Sequence, residues 1–124
     1  MITSPANPRI KYVRRLQADR RFRQQEEVFV VEGTRWATEI AAHAARPELV
    51  LYTPEWLQSS GNQRLLQTIG GDSLAISEAV MRHASDTETP AGVLAVVPVP
   101  ALALPPQPSL LLVLDAIGNP GNLG

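Results

Sequence analysis

The sequence contains no cysteine, which excludes disulfide staples, thiolate zinc sites and cysteine nucleophiles. Aromatic residues make up only 5% of it, so a core must be built mainly from aliphatic side chains. Its two histidines, His43 and His83, are lone histidines, each on an expected helix, so surface or partly packed roles are expected rather than metal binding. No run of about 18 apolar residues exists to span a membrane. The N-terminus lacks a continuous apolar segment of the secretory type, and a cytoplasmic location is the expectation. There is no Gly-Lys-Ser/Thr for a P-loop. The glycines at 118, 121 and 124 are spaced G-x-x-G-x-x-G, not as a dinucleotide fingerprint. No serine–histidine–acid arrangement stands out.

What is present is an uneven charge. The chain has 124 residues, about one domain, and a net charge of −1. Between Met1 and Arg23 lie seven basic residues (Arg9, Lys11, Arg14, Arg15, Arg20, Arg21, Arg23) against one acid, Asp19, which leaves +6. The remainder holds four basic residues and eleven acids, or −7. A basic end on an acidic body points to a polyanion partner, with a merely solvated helix face as the alternative.

Asn7-Pro8 reads as a cap followed by a first-turn proline, and opens a helix expected to run to about Arg23. Ile10, Val13 and Leu16, with Phe22 further on, form its buried stripe, while Lys11, Arg14 and Arg15 share an outward face. Short β-branched runs predict strands at Val28–Val31, Leu49–Tyr52, Leu74–Ile76 and Val93–Val97. Helices are expected from Thr34 to about Arg46, after Thr53-Pro54, up to Ile69, and after Ser77. Strands alternating with helices predict an α/β domain with a mostly parallel sheet. Five prolines between Pro98 and Pro108 read as a stiff linker. Leu110–Asp115 then has the pattern of a strand buried on both faces. The division expected is 1–97, a linker over 98–109, and 110–124 as the opening of a second domain. The loop over 118–124 is either a simple tight turn or part of a site.

Several segments resemble known enzymes. Ile2-Thr3-Ser4 with Asn7-Pro8-Arg9-Ile10-Lys11 is similar to the opening of the SpoU/TrmH-type RNA 2′-O-ribose methyltransferases of the SPOUT class. Phe29-Val30-Val31-Glu32-Gly33 followed by Arg35 resembles their F-x-x-E-G element. Ser85-Asp86-Thr87 with Thr89-Pro90-Ala91-Gly92-Val93 resembles the end of their substrate-binding domain. Leu114-Asp115 with Asn119-Pro120-Gly121-Asn122-Leu123-Gly124 resembles the start of their first catalytic motif. The four follow one another in the family's order.

The resemblance implies that residues 1–97 are an RNA substrate-binding domain. Its implied fold is a small three-layer α/β/α sandwich similar to RNA-binding ribosomal proteins. It also implies a knotted methyltransferase domain that binds S-adenosylmethionine and forms a homodimer, of which this chain carries only the first strand and loop. The active-site asparagine of the family matches Asn122. Little or no methyl transfer is expected from the 124-residue chain alone, and no cofactor is expected to bind it. For RNA contact the candidates are Arg9, Lys11, Arg14 and Arg15, with Arg20, Arg21 and Arg23 as a second group, because a guanidinium can fork onto phosphate and stack on a base. Glu32 and Gly33 are read as structural rather than as RNA contacts: Gly33 permits the strand-to-helix turn and Glu32 places negative charge near a helix start, while a carboxylate would repel phosphate. A stand-alone RNA-binding module and a protein-interaction domain of α/β type remain as the alternatives.

Overall fold

Asn7 caps α1 (Pro8–Ala18) as its sequence suggests, its side chain accepting from the Arg9 amide at 2.9 Å with Pro8 in the first turn. The helix stops sooner than expected. Asp19 adopts an extended conformation, and its carboxylate accepts from the Phe22 amide at 3.1 Å, starting a second helix, α2 (Arg20–Glu26). A side chain that caps so well competes with helix continuation, and this splits the single helix expected to reach Arg23. The computed structural model describes residues 1–42 and 46–99. His43, most of the linker, the 110–115 run and Asn122 lie outside the described residues.

The remaining elements follow the expected alternation. They are β1 (Val28–Glu32), α3 (Thr34–Ala42), β2 (Leu49–Tyr52), a 3₁₀ turn (Trp56–Gln58), α4 (Ser60–Ile69), β3 (Ser73–Ala75), α5 (Glu78–Ala84) and β4 (Val93–Pro98). Ser59 and Ser77 cap α4 and α5, accepting from the amides of Asn62 and Val80.

The sheet order is β1-β4-β2-β3. β4 runs antiparallel to both its neighbours, and only β2 and β3 pair in parallel, so the expectation of a mostly parallel sheet is corrected. Three strands do point the same way. The last strand returns between two of them, which a reading of strand–helix alternation does not anticipate. Every residue of β4 from Val93 to Val97 is buried, as its continuous apolar run requires of a central strand.

Residue alternation in the strands sorts the core into two layers. On one face Val28, Leu49, Leu51, Leu94 and Val96 meet Ile10, Val13 and Leu16 of α1 and Val80, Met81 and Ala84 of α5. On the other, Phe29, Val31, Val50, Val93, Ala95 and Val97 meet Ala37 and Ile40 of α3, Trp56 and Ile69. Helices thus cover both faces, which is the three-layer α/β/α sandwich. The N-terminal segment adds a parallel bridge between Ile2 and Ile76 at the β3 side.

Candidate nucleic-acid interface

α1 and α2 lie along the end of the sheet where β1, β2 and β3 begin. Arg9 pairs with Asp72, the residue before β3. The Tyr12 hydroxyl donates to Glu48, the residue before β2, at 3.2 Å. α2 leads through Glu27 directly into β1, and the Val99 amide donates to the Glu27 carbonyl at 2.7 Å. The basic helices and the point where β4 hands on the chain therefore share one end of the domain.

The seven candidate cations meet different fates there. Lys11, Arg15, Arg20 and Arg21 are exposed and Arg14 is half-buried. None of the five forms an ion pair among the described residues. Lys11 and Arg15 oppose the Ile10–Val13–Leu16 stripe, so burying that stripe aims them at solvent. Arg15 lies over the ring of Phe22, with its guanidinium carbon 3.8 Å from the ring centroid. Arg9 is tied to Asp72 with both side chains about half exposed, so the pair adds little stability. Arg23 folds back onto α1, donating to the carbonyls of Leu16 and Gln17 at the helix's C-terminal end. It satisfies acceptors that α1 leaves open and places a cation at the negative pole of the helix. No feature of sequence spacing signalled this role, because it exists only once the chain breaks at Asp19.

Tyr12 and Phe22 divide the surface. They pack edge to face, with ring centroids 5.9 Å apart. On the Tyr12 side stand Glu48 and Glu26. Burial first, and then these two carboxylates, push the Tyr12 hydroxyl pKa from 10.0 up to about 12. On the Phe22 ring lies Arg15. Carboxylates this close would repel a phosphate from the Tyr12 side.

At the opposite end of the sheet the F-x-x-E-G element meets the Ser85–Gly92 segment. The Ser85 hydroxyl donates to Glu32 at 2.6 Å, the Asp86 amide donates to the other Glu32 oxygen at 3.4 Å, and the Thr87 amide donates to the Ser85 hydroxyl at 3.1 Å. Gly33 has φ +105°, and its amide donates to the Val93 carbonyl at 3.0 Å. Both oxygens of Glu32 thus serve to hold a loop, a different structural role from the helix-start charge expected of it. Gly92 sits at φ +93°, where an added Cβ would come within 3.0 Å of the Trp56 Cβ and 3.2 Å of the Thr53 hydroxyl. The Trp56 indole donates to Thr34 at 2.9 Å, which makes Trp56 a core and corner residue.

Among the described residues no cluster of histidines and carboxylates could hold a metal. None of their helices is long and apolar enough to cross a membrane. The cavity between the sheet and α3, lined by Val31, Ala37, Ile40, Val50 and Ile69 among others, has a volume of about 10 Å³ and is almost wholly apolar. That is barely room for one water, and it offers neither space nor polar partners for a nucleoside such as S-adenosylmethionine. This cavity therefore does not fit that cofactor.

Residues 7–95 match the family described as MRM3-like substrate binding domain. A crystal structure of an RNA 2′-O ribose methyltransferase matches 86% of this chain with 30% identity and a TM-score of 0.68. The SpoU methyltransferase AviRb from Streptomyces viridochromogenes, in complex with the cofactor AdoMet, matches 79% with 26% identity and a TM-score of 0.65. An AdoMet-bound rRNA methyltransferase from Sinorhizobium meliloti, at 20% identity and a TM-score of 0.66, shares the fold. The match covers 40%, 35% and 38% of these three chains, so this chain aligns with well under half of each. No curated protein sequence matches it.

Proposed function

The chain belongs to the MRM3-like substrate binding domain family, and on that premise we propose that residues 1–97 grip RNA for an RNA 2′-O-ribose methyltransferase. The observation that carries this reading is the surface of α1 and α2, on which Lys11, Arg14, Arg15, Arg20 and Arg21 form no ion pair among the described residues. Ribose methylation requires one 2′-hydroxyl to be held in line with the methyl donor, and such positioning can account for a large part of a rate gain. Lys11, Arg14, Arg20 and Arg21 supply phosphate contacts that fix the RNA without reading its sequence. Arg9 and Arg23, already engaged with Asp72 and with α1 carbonyls, contribute less.

In this reading residues 98–109 link the domain to a methyltransferase unit that opens at 110–124, and Asn122 belongs to its active site. Val99 leaves β4 beside Glu27 and α2, which supports RNA held on the basic helices being near whatever follows the linker. S-adenosylmethionine and the homodimer contact are assigned to that further unit, and a cytoplasmic location suits the substrate. The substrate is ribosomal or transfer RNA.

Joint replacement of Lys11, Arg14, Arg20 and Arg21 by alanine tests the grip. RNA affinity is expected to fall by at least tenfold, and its salt dependence to flatten, in fluorescence anisotropy titrations. Wild-type affinity and slope in this variant would overturn the assignment. The 124-residue chain incubated with labelled S-adenosylmethionine and bulk ribosomal and transfer RNA is expected to give no product above the enzyme-free blank.

A further inference from the structure

The contacts around Phe22 distinguish Arg15 from the other cations. Lys11, Arg14, Arg20 and Arg21 are charges on flexible stems. Arg15 instead lies on an aromatic face, 3.8 Å from the Phe22 centroid, while Tyr12 buttresses that ring edge-on at 5.9 Å. Phe22 itself is held in place by the Asp19 cap on its amide. The Phe22 ring therefore positions the guanidinium before any ligand arrives, and Arg15 remains exposed and free of ion pairs among the described residues. A guanidinium resting on an aromatic ring and exposed to solvent suits a flat, electron-rich partner.

We propose that Arg15 is a stacking platform for one unpaired RNA base, held while Lys11 and Arg14 on the same helix take the adjoining phosphates. This rests on the reading of α1–α2 as the RNA-gripping surface and narrows it to a substrate with an unpaired nucleotide. In an A-form duplex each base face is covered by its neighbours, and side chains meet mainly phosphates and 2′-hydroxyls. A loop, bulge or single strand can offer a base face, and stacking accepts any base because each has one. Glu26 and Glu48 beside the Tyr12 hydroxyl repel phosphate from that flank.

The test compares binding of a short oligouridine with binding of a blunt RNA duplex of equal phosphate count, in wild type and in Arg15→Lys. Lysine keeps the charge and loses the plane. Arg15→Lys is expected to weaken oligouridine binding by roughly five- to tenfold while leaving its salt slope and the duplex affinity unchanged. Phe22→Leu removes the ring beneath the guanidinium and is expected to give the same selective loss. If that variant fails to fold, the surface substitution Arg15→Lys still decides. Equal affinities of wild type and Arg15→Lys for oligouridine, or equal losses for both probes, would overturn the stacking assignment and leave the RNA reading standing. A wild-type chain that binds neither probe would overturn both.

Discussion

Glu32 puts a carboxylate into a domain proposed to hold a polyanion, yet both its oxygens turn inward. One accepts from the buried Ser85 hydroxyl and the other from the Asp86 amide. Removing them strands a buried donor, a loss of about 1–3 kcal/mol. Glu32→Ala is therefore expected to lower stability by that order in chemical denaturation and to speed amide exchange over Asp86–Thr89. Glu32→Gln, which keeps an acceptor, should lose less. RNA affinity should be the same in both, because the basic helices stand at the other end of the sheet. Tyr12 gives a residue-scale prediction in pH. Its hydroxyl pKa lies at about 12 in the fold against an ordinary 10.0, so the folded state holds this proton more tightly. The corresponding stability is fully present below the ordinary value and is lost as pH rises from there through about 12. Denaturation across that alkaline window should show a steeper decline for wild type than for Tyr12→Phe.

At the scale of elements, the Asp19 break shapes the surface more than any strand does. By ending α1 and capping α2, Asp19 sets Phe22 beneath Arg15 and lets Arg23 reach back to the carbonyls of Leu16 and Gln17. Asp19→Ala is expected to cost about 1 kcal/mol in thermal unfolding, and to weaken oligouridine binding even though it removes a charge that repels phosphate. An affinity gain would mean that the α1–α2 corner holds its shape without the cap. The break also marks how far the sequence could be read. The Asn7-Pro8 and Ser77 starts and the four strands all follow from local chemistry and periodicity. Asp19 was visible only as a lone acid among arginines, since an extended capping residue and a helical one look alike without their tertiary setting. The place of β4 between β1 and β2 was equally hidden, because strand order is a property of long-range pairing. The alternation of strands and helices is compatible with several orders. Of the interface, the cluster of cations was legible as composition. Which of them are engaged by Asp72, Phe22 or α1 carbonyls was not, because each engagement joins residues brought together by folding.

For the whole molecule the charge imbalance is the quantity that matters, and its magnitude is smaller than the sequence count implies. Seven cations between Arg9 and Arg23 would, if all reached phosphates, give a slope of log affinity against log salt of about −5 on single-stranded RNA. The geometry reduces that number. Arg9 is paired with Asp72, Arg23 is bound to α1 carbonyls, and Arg15 is stacked on Phe22 in place to meet a base. Lys11, Arg14, Arg20 and Arg21 remain for phosphate, which predicts a slope of about −3. Titrations of oligouridine at several salt concentrations measure it directly. Arg20→Ala combined with Arg21→Ala should flatten the slope by about 1.4, whereas Arg23→Ala should leave it unchanged and lower the melting temperature instead. A wild-type slope near −5, reduced by Arg23→Ala, would mean that Arg23 abandons α1 to reach RNA. The capping contacts would then describe only the free domain, and the split between structural and binding arginines would have to be drawn elsewhere.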